Sequence, residues 1–194
     1  MNDRTFPAAD AHKLDDPDRL AWLPPGEVIG HLGPLRGLTV ADIGAGTGFF
    51  ALPFARETGP KGDVFAVDFQ EGMLARIREK VAAGDPGGRI SCVHGEAAAT
   101  GLPANSCDIV FMANVWHELD NTDAVLREVR SVLRAKGRLA IVDWRADVPP
   151  PPGPPAAHRV PAGDLNALLT RRGWEAAATL HVGRYHYLQV ASPR

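Results

Sequence analysis

Short apolar runs alternate along the chain with longer segments in which apolar residues recur every three or four positions. The apolar runs are Leu38–Ile43, Asp63–Val67, Arg89–Val93, Cys107–Met112 and Arg138–Trp144. Short continuous apolar runs bounded by turn residues are typical of parallel strands that are buried on both faces of a sheet. The pattern therefore predicts five strands of one mostly parallel sheet.

The segments with helical spacing lie mainly between these runs. They predict helices over Thr47–Arg56, Glu71–Ala83, Thr122–Ala135 and Asp164–Arg171. Gly137 lies just beyond the third of these, where it is typical of a helix end. Because parallel strands joined through helices require right-handed crossovers, we expect an α/β fold with a doubly wound sheet.

The end of the chain has a different pattern. A proline-rich loop is expected over residues 148–160, with Pro149–Pro155 extended. Two further strands, Trp174–Leu180 and Tyr185–Ala191, are predicted to form a hairpin through a tight turn at His181–Arg184. The prediction is thus a seven-stranded sheet with an antiparallel terminal hairpin strand. We assign residues 1–194 to one domain, in which residues 1–36 form an N-terminal cap segment.

Composition narrows the class of protein. The chain has 194 residues, 45% of them hydrophobic, and a formal net charge of −2. Without a basic excess we expect no nucleic-acid partner and no anionic membrane partner. No apolar run approaches the roughly 18 residues needed to span a bilayer. Cys92 and Cys107 show no metal-ligand spacing, so we expect buried free thiols, no metal site and a cytoplasmic location.

A glycine-rich turn follows the first strand. Leu38–Ile43 runs into Gly44, Ala45, Gly46 and Gly48, and Asp68 follows Gly48 by 20 positions at the end of the second predicted strand. Alternate glycines let a ligand approach the backbone, and the start of a helix offers free N–H groups. An acid at the end of the next strand can accept the hydroxyls of a ribose. This combination predicts a nucleoside ligand.

The spacing of the glycines in this turn distinguishes between kinds of nucleoside ligand. A dinucleotide site of the GxGxxG type needs glycine at position 49, which is Phe49, so the alternative of an NAD-dependent oxidoreductase is disfavoured. The turn is instead GxGxG, with Asp42 two residues before the first glycine. This pattern resembles motif I of class I methyltransferases that depend on S-adenosyl-L-methionine (SAM). In that family the acid and the loop backbone hold the methionine moiety.

The resemblance covers most of the chain, from about Leu38 to Val190, and implies the Rossmann-like fold of those enzymes. Asp68, Phe69 and Met73 match the segment that holds ribose and adenine, and Gly95-Glu96-Ala97 resembles the family's GDA sequence, with Glu in place of Asp. The resemblance implies a SAM site made of Asp42, Gly44, Ala45, Gly46, Asp68, Phe69, Met73, Glu96, Ala97 and Ala113.

The nearest subgroup includes quinone-biosynthesis and arsenite methyltransferases. Two cysteines do not make up the thiolate set of the arsenite enzymes. The resemblance therefore implies methyl transfer to a small molecule. A non-catalytic SAM-binding or accessory module is the alternative. The sequence identifies neither the acceptor nor the oligomeric state.

His117 is the candidate general base, because it follows the fourth strand at the edge where a doubly wound fold builds its site. A local structural role is the alternative for this histidine. Asp143 is expected to be a solvated loop acid that could face the substrate, and Arg159 to lie on the surface near the entrance. One of His12, Lys13 and Arg19 is a candidate partner of the SAM carboxylate, although we expect a mobile, solvated terminus there. Four further histidines show no ligand spacing and are interpreted as structural: His31, His94, His181 and His186.

Overall fold

The structure, a computed structural model, describes residues 6–84, 86–148 and 153–194. The first five residues of the predicted cap segment and residues 149–152 of the predicted proline-rich loop lie outside the described residues.

One mixed sheet runs through the molecule. Its strands are β1 (Thr39–Ile43), β2 (Asp63–Asp68), β3 (Arg89–His94), β4 (Cys107–Ala113), β5 (Leu133–Trp144), β6 (Trp174–Ala176), β7 (Leu180–Val182) and β8 (His186–Pro193). The order is β3-β2-β1-β4-β5-β8-β6, and β7 also pairs with β8. The first five strands are parallel, and β8 is antiparallel to β5.

The predicted doubly wound α/β class, with an antiparallel end, is confirmed. The sheet has eight strands where the sequence predicted seven. The difference lies in the last segment: the predicted strand Trp174–Leu180 ends at Ala176, and a separate strand, β7, begins at Leu180 and includes the start of the turn predicted at His181–Arg184. Strand β6 pairs with the end of β8 and β7 with its beginning.

Helices cover both faces of the sheet. They are α1 (Ala11–Leu14), α2 (Arg19–Trp22), α3 (Pro25–His31), α4 (Ala51–Thr58), α5 (Glu71–Ala83), α6 (Thr122–Val132) and α7 (Ala162–Arg171). One buried cluster includes Val28 of α3, Phe54 of α4 and Leu74 of α5. A second cluster includes Val129 of α6 and Leu165 of α7. The helices therefore pack in two layers around the sheet.

Strand β1 lies at the centre and contributes to both layers. Its five residues are all buried, with Val40 in the first cluster and Ala41 and Ile43 in the second. Beside it, the rings of Phe50 and Phe111 lie 4.7 Å apart between centroids. Burial of each such aromatic side chain contributes about 1.5–3 kcal/mol. This packing fixes the start of α4 against β4.

Two predicted helix boundaries differ most from the structure. The helix predicted from Thr47 begins at Ala51, because Gly46 and Gly48 take positive φ angles of 54° and 87° and keep the chain in a loop. The helix predicted to reach Ala135 ends at Val132. The chain passes directly into β5, where Leu133 is paired with Cys107 of β4. Pairing to a neighbouring strand thus overrides the local helical pattern.

The cysteines are free, as expected: Cys107 is buried and Cys92 is half-buried. Within the described ranges, no helix is both long enough and apolar enough to cross a membrane.

Candidate active site

The glycine loop joins the carboxyl end of β1 to α4 and bends over the end of β2. The backbone N–H groups of Gly44 and Ala45 both donate to the carbonyl oxygen of Val67, at 2.8 and 3.0 Å. A Cβ atom on Gly44 would lie 2.3 Å from Cγ2 of Val115, in the segment after β4. The loop therefore lies close to the ends of both strands that flank β1.

Asp68 at the end of β2 faces this loop. Its Oδ2 accepts a hydrogen bond from the backbone N–H of Gly46 at 2.9 Å, and its Oδ1 accepts one from Gln70 at 2.9 Å. The residue is buried, and burial raises the pKa of its carboxyl group above the ordinary value. Asp68, the acid predicted to bind the ribose, thus contacts the glycine loop directly.

Asp42, at the end of β1, is almost fully enclosed, with 2% of its surface exposed. The backbone N–H of Ala51 at the start of α4 donates to its carboxylate. Its Oδ2 has no hydrogen-bond partner among the described residues. Burial, together with the nearby charge of Asp68, raises the pKa of Asp42 to about 7.

Glu118 adds a third carboxyl group, half-buried, which the sequence did not indicate. Its Oε1 accepts the backbone N–H of Phe6 at 3.2 Å. Burial raises the pKa of Glu118 to about 7, although His117 opposes the shift, and the charges of Asp143 and Asp68 add to it. Nothing in the sequence around Glu118 distinguishes it from a surface acid.

His117 and Asp143 form a buried pair at the ends of β4 and β5. The Nδ1 atom of His117 lies 2.8 Å from Oδ1 of Asp143, and the backbone N–H of His117 donates to Oδ2 at 2.9 Å. The backbone N–H of Trp144 donates to Oδ1 as well, at 2.7 Å. A carboxylate that accepts three N–H groups places the ring proton on Nδ1, so Nε2 is the nitrogen that can take up a proton.

The expectation that Asp143 is a solvated loop acid is therefore wrong: its exposure is 0%. The strand β5 continues to Trp144, and Asp143 lies opposite Tyr187 of β8. The sequence did hold one indication of this burial, since Asp143 is enclosed in the apolar run Ile141–Trp144.

The N-terminal segment lies over the glycine loop. Oγ1 of Thr47 donates to Oδ1 of Asp15 at 2.6 Å, and Nζ of Lys80 donates to the same oxygen at 2.6 Å. A Cβ atom on Gly46 would meet Cδ1 of Leu14 at 3.2 Å. His12 and Lys13 are exposed, as expected for a solvated segment, whereas Arg19 is buried, contrary to that expectation.

The other residues predicted to bind the cofactor differ in their exposure and in their distance from the glycine loop. Phe69 is 39% exposed beyond β2, whereas Met73 is buried in α5. Glu96 is exposed after β3, where its backbone pairs with Ala99. Ala97 and Ala113 are half-buried. The structure thus brings together Asp42, Gly44, Ala45, Gly46 and Asp68, and leaves Glu96 two strands away from β1.

Arg159 is buried, contrary to the expected surface position. Its guanidinium donates to the carbonyl oxygens of Pro154 and Arg145, both at 3.1 Å, and so fastens the chain on either side of residues 149–152. His186 is also buried, as expected for a structural histidine. Its ring stacks on Trp22 at 5.6 Å between centroids and lies 4.2 Å from Trp144.

Comparisons with known proteins agree with this architecture. A family profile described as "Methyltransferase domain" matches residues 40–137, which is half of the chain. A crystal structure of a SAM dependent methyltransferase from Aquifex aeolicus is 32% identical, with a TM-score of 0.89, and covers 96% of this chain and 98% of that one.

Curated relatives match a shorter part of the chain. A demethylmenaquinone methyltransferase from Listeria monocytogenes is 36% identical over 108 residues, which are 56% of this chain and 45% of the relative. A ubiquinone/menaquinone biosynthesis C-methyltransferase from Hahella chejuensis is 35% identical over 112 residues, 58% of this chain and 45% of the relative. The chain thus spans less than half the length of these two relatives.

Proposed function

Because the chain belongs to the methyltransferase-domain family of class I SAM-dependent methyltransferases, we propose that it transfers a methyl group from SAM to a small-molecule acceptor. The proposal treats the 194 residues as a single domain. The cytoplasmic location expected from the sequence is part of the same proposal.

The observation that carries the proposal is the cluster of desolvated carboxyl groups around the glycine loop, of which Asp42 and Asp68 are buried and Glu118 is half-buried. All three have pKa values above the ordinary range, because each is desolvated, and the charge of Asp68 adds to the shifts of the other two. Such a cluster favours a cationic ligand. The methionine end of SAM carries a sulfonium and an ammonium, whereas NAD would bring a negative pyrophosphate to the same loop.

The residues present fit the cofactor. Asp42 offers an unpartnered buried oxygen, Oδ2, for the ammonium group. Asp68 lies at the end of β2, where an acid accepts ribose hydroxyls. Phe69 and Glu96, at the ends of β2 and β3, would border the adenine. The bare backbone at Gly44 and Gly46 leaves room for the methionine chain.

In the proposed mechanism, bound SAM supplies a methyl group already activated by the positive sulfur. The protein then has to orient the acceptor and exclude water. In this proposal His117 acts as the general base: Asp143 holds Nδ1–H, and Nε2 takes the acceptor's proton. Glu118 Oε1, 4.0 Å from Nε2, stabilises the histidinium that forms. The N-terminal segment covers the loop and keeps water from it.

We propose a planar, hydroxylated aromatic acceptor. Trp22 and Trp144 lie 5.5 Å apart between centroids, and Trp144 follows Asp143 directly. A flat ring gains from stacking against such side chains. The names of the two curated relatives, which refer to menaquinone and ubiquinone biosynthesis, support the same class.

The test has two steps. S-adenosylhomocysteine (SAH), the product of methyl transfer, should raise the midpoint of thermal unfolding, whereas NAD should not. Methyl transfer from labelled SAM is then measured with reduced naphthoquinols, simple phenols and aliphatic acids. Stabilisation by NAD alone would overturn the proposal. SAH binding without transfer to any acceptor in a cell extract would favour the accessory module.

A further inference from the structure

Arg19 at the start of α2 is a buried cation next to the glycine loop. Its exposure is 8%, and Nη1 donates to the carbonyl oxygen of Leu14 at 2.6 Å. The guanidinium carbon lies 4.0 Å from the centroid of the Phe49 ring. A guanidinium has five N–H donors, so most of the hydrogen-bonding capacity of Arg19 is left over after the bond to Leu14.

No carboxylate among the described ranges lies within 4.0 Å of this guanidinium. Among the described residues, Arg159 is the other buried arginine. Its guanidinium makes four hydrogen bonds to carbonyl oxygens, so its donors have partners. Burying a cation without a counter-ion is costly. In keeping with this cost, burial lowers the pKa of Arg19 to about 10, and only Asp15 opposes the shift.

The position of Arg19 points to one end of the cofactor. Phe49 directly follows Gly48, and the carbonyl that Arg19 binds belongs to Leu14, whose side chain covers Gly46. Along the sheet, β3 and β2 would hold adenine and ribose, so the loop after β1 receives the amino-acid end. Arg19 lies closer to Phe49 of this loop than to Trp22 on the acceptor side, at 4.0 against 5.9 Å.

We propose that Arg19 binds the carboxylate of the methionine moiety of SAM, an inference that rests on the proposed function. A guanidinium recognises a carboxylate through two parallel N–H bonds. Since Arg19 belongs to α2, the same contact ties the N-terminal segment to the cofactor. Among the three cations that the sequence offered for this role, Lys13 pairs with Asp10 on the exposed surface.

The experiment compares two ligands that differ only in this carboxylate. SAH and its decarboxylated analogue, 5′-deoxy-5′-(3-aminopropylthio)adenosine, are titrated calorimetrically into the wild-type chain, Arg19→Gln and Arg19→Lys. Lys13→Gln serves as the control from the same segment. We expect Arg19→Gln to weaken SAH about tenfold or more and to leave the analogue within about twofold. Arg19→Lys should retain part of the preference for SAH, because it keeps the charge and loses the paired donors.

Three outcomes would overturn the proposal. An equal loss for both ligands would make Arg19 a structural residue, and thermal unfolding of the variants identifies that case independently. An unchanged preference for SAH in Arg19→Gln would assign the guanidinium to another anion, such as one on the acceptor. If neither ligand binds the wild-type chain, the proposed function itself fails, which is distinguishable from the first two results.

Discussion

Asp143 binds His117 through both carboxylate oxygens, one on the imidazole Nδ1 at 2.8 Å and one on the backbone N–H at 2.9 Å. The two bonds fix the ring and the chain that carries it at the same time. The ring therefore has one tautomer and one orientation available, which is the arrangement that general-base catalysis requires.

Replacing this acid tests the pair. Asp143→Asn keeps the shape but offers an amide in place of the acceptor that holds Nδ1–H. We expect kcat to fall about 100-fold or more, with SAH affinity nearly unchanged. Steady-state kinetics give kcat with whichever of the naphthoquinols, phenols and aliphatic acids is methylated, and calorimetry gives the SAH affinity. Asp147→Asn, which removes an exposed acid paired with Arg145, is the control. Equal rates for the two variants would rule out the proposed role of the pair.

Cofactor binding should depend on pH through Asp42. With a pKa of about 7, this group is partly protonated near neutrality, and an ammonium beside it favours the ionised form. Binding then releases a proton, so SAH affinity should rise between about pH 6 and about pH 8. Asp42→Asn should flatten this profile. A profile that persists in Asp42→Asn and disappears in Glu118→Gln would assign the proton to the other acid.

The ionisation of Asp42 should also affect folding stability, but the free energy of unfolding should fall with rising pH where SAH affinity rises. The pKa of Asp42 is about 7 in the folded chain and 3.8 by its ordinary value, so between these values the folded state holds a proton that the unfolded state has released. The contribution of Asp42 to the free energy of unfolding therefore decreases as pH rises across that window. Urea unfolding at several pH values should show a smaller decrease in Asp42→Asn than in the wild-type chain.

A methyl group on the glycine loop should be poorly tolerated. In Gly44→Ala the new Cβ would lie 2.3 Å from Val115, at a φ of 72°. We expect the free energy of unfolding to fall by about 1–3 kcal/mol, together with weaker SAH binding. Gly33→Ala isolates the backbone term, because Gly33 has a φ of 76° and no atom within 4 Å of the added Cβ. The difference between the two variants in chemical denaturation measures the clash, and a difference near zero would contradict it.

The N-terminal segment should loosen when its anchor is removed. Nζ of Lys80 donates to Oδ1 of Asp15 at 2.6 Å and to the carbonyl oxygen of Thr47 at 2.7 Å. Lys80→Ala should speed proteolytic cleavage near residues 15–18 and weaken SAH about two- to fivefold, since partly exposed ion pairs contribute about 1 kcal/mol or less. Arg78→Ala on the same helix, whose partner is Glu71, is the control and should leave cleavage unchanged.

The sequence was sufficient for the parallel part of the fold because each strand there is a short apolar run with a turn residue at its end. It failed where pairing decides the conformation. Leu133 continues the helical pattern of the sequence, yet it begins β5 because it pairs with Cys107 of β4. The division of the last segment between β6 and β7 also depends on β8, and no local signal marks it.

Within the candidate site, the sequence identified the residues whose spacing is fixed by the chain itself, namely Asp42 and the glycines. It misjudged residues whose role depends on distant partners. Asp143 is identified as buried only when His117 and β8 lie beside it. Arg19 is identified as buried only when α2 packs on Phe49.

The place of β8 in the sheet has a consequence for synthesis. Residues 186–193 follow every other described strand, yet they lie between β5 and β6. As the chain emerges from the ribosome, β1 to β5 can pair first, and one side of β5 then presents unpaired N–H and C=O groups. Asp143 is on that open strand. Until β8 pairs with β5, the nascent chain therefore exposes a strand edge that can pair with another chain, next to the His117–Asp143 pair.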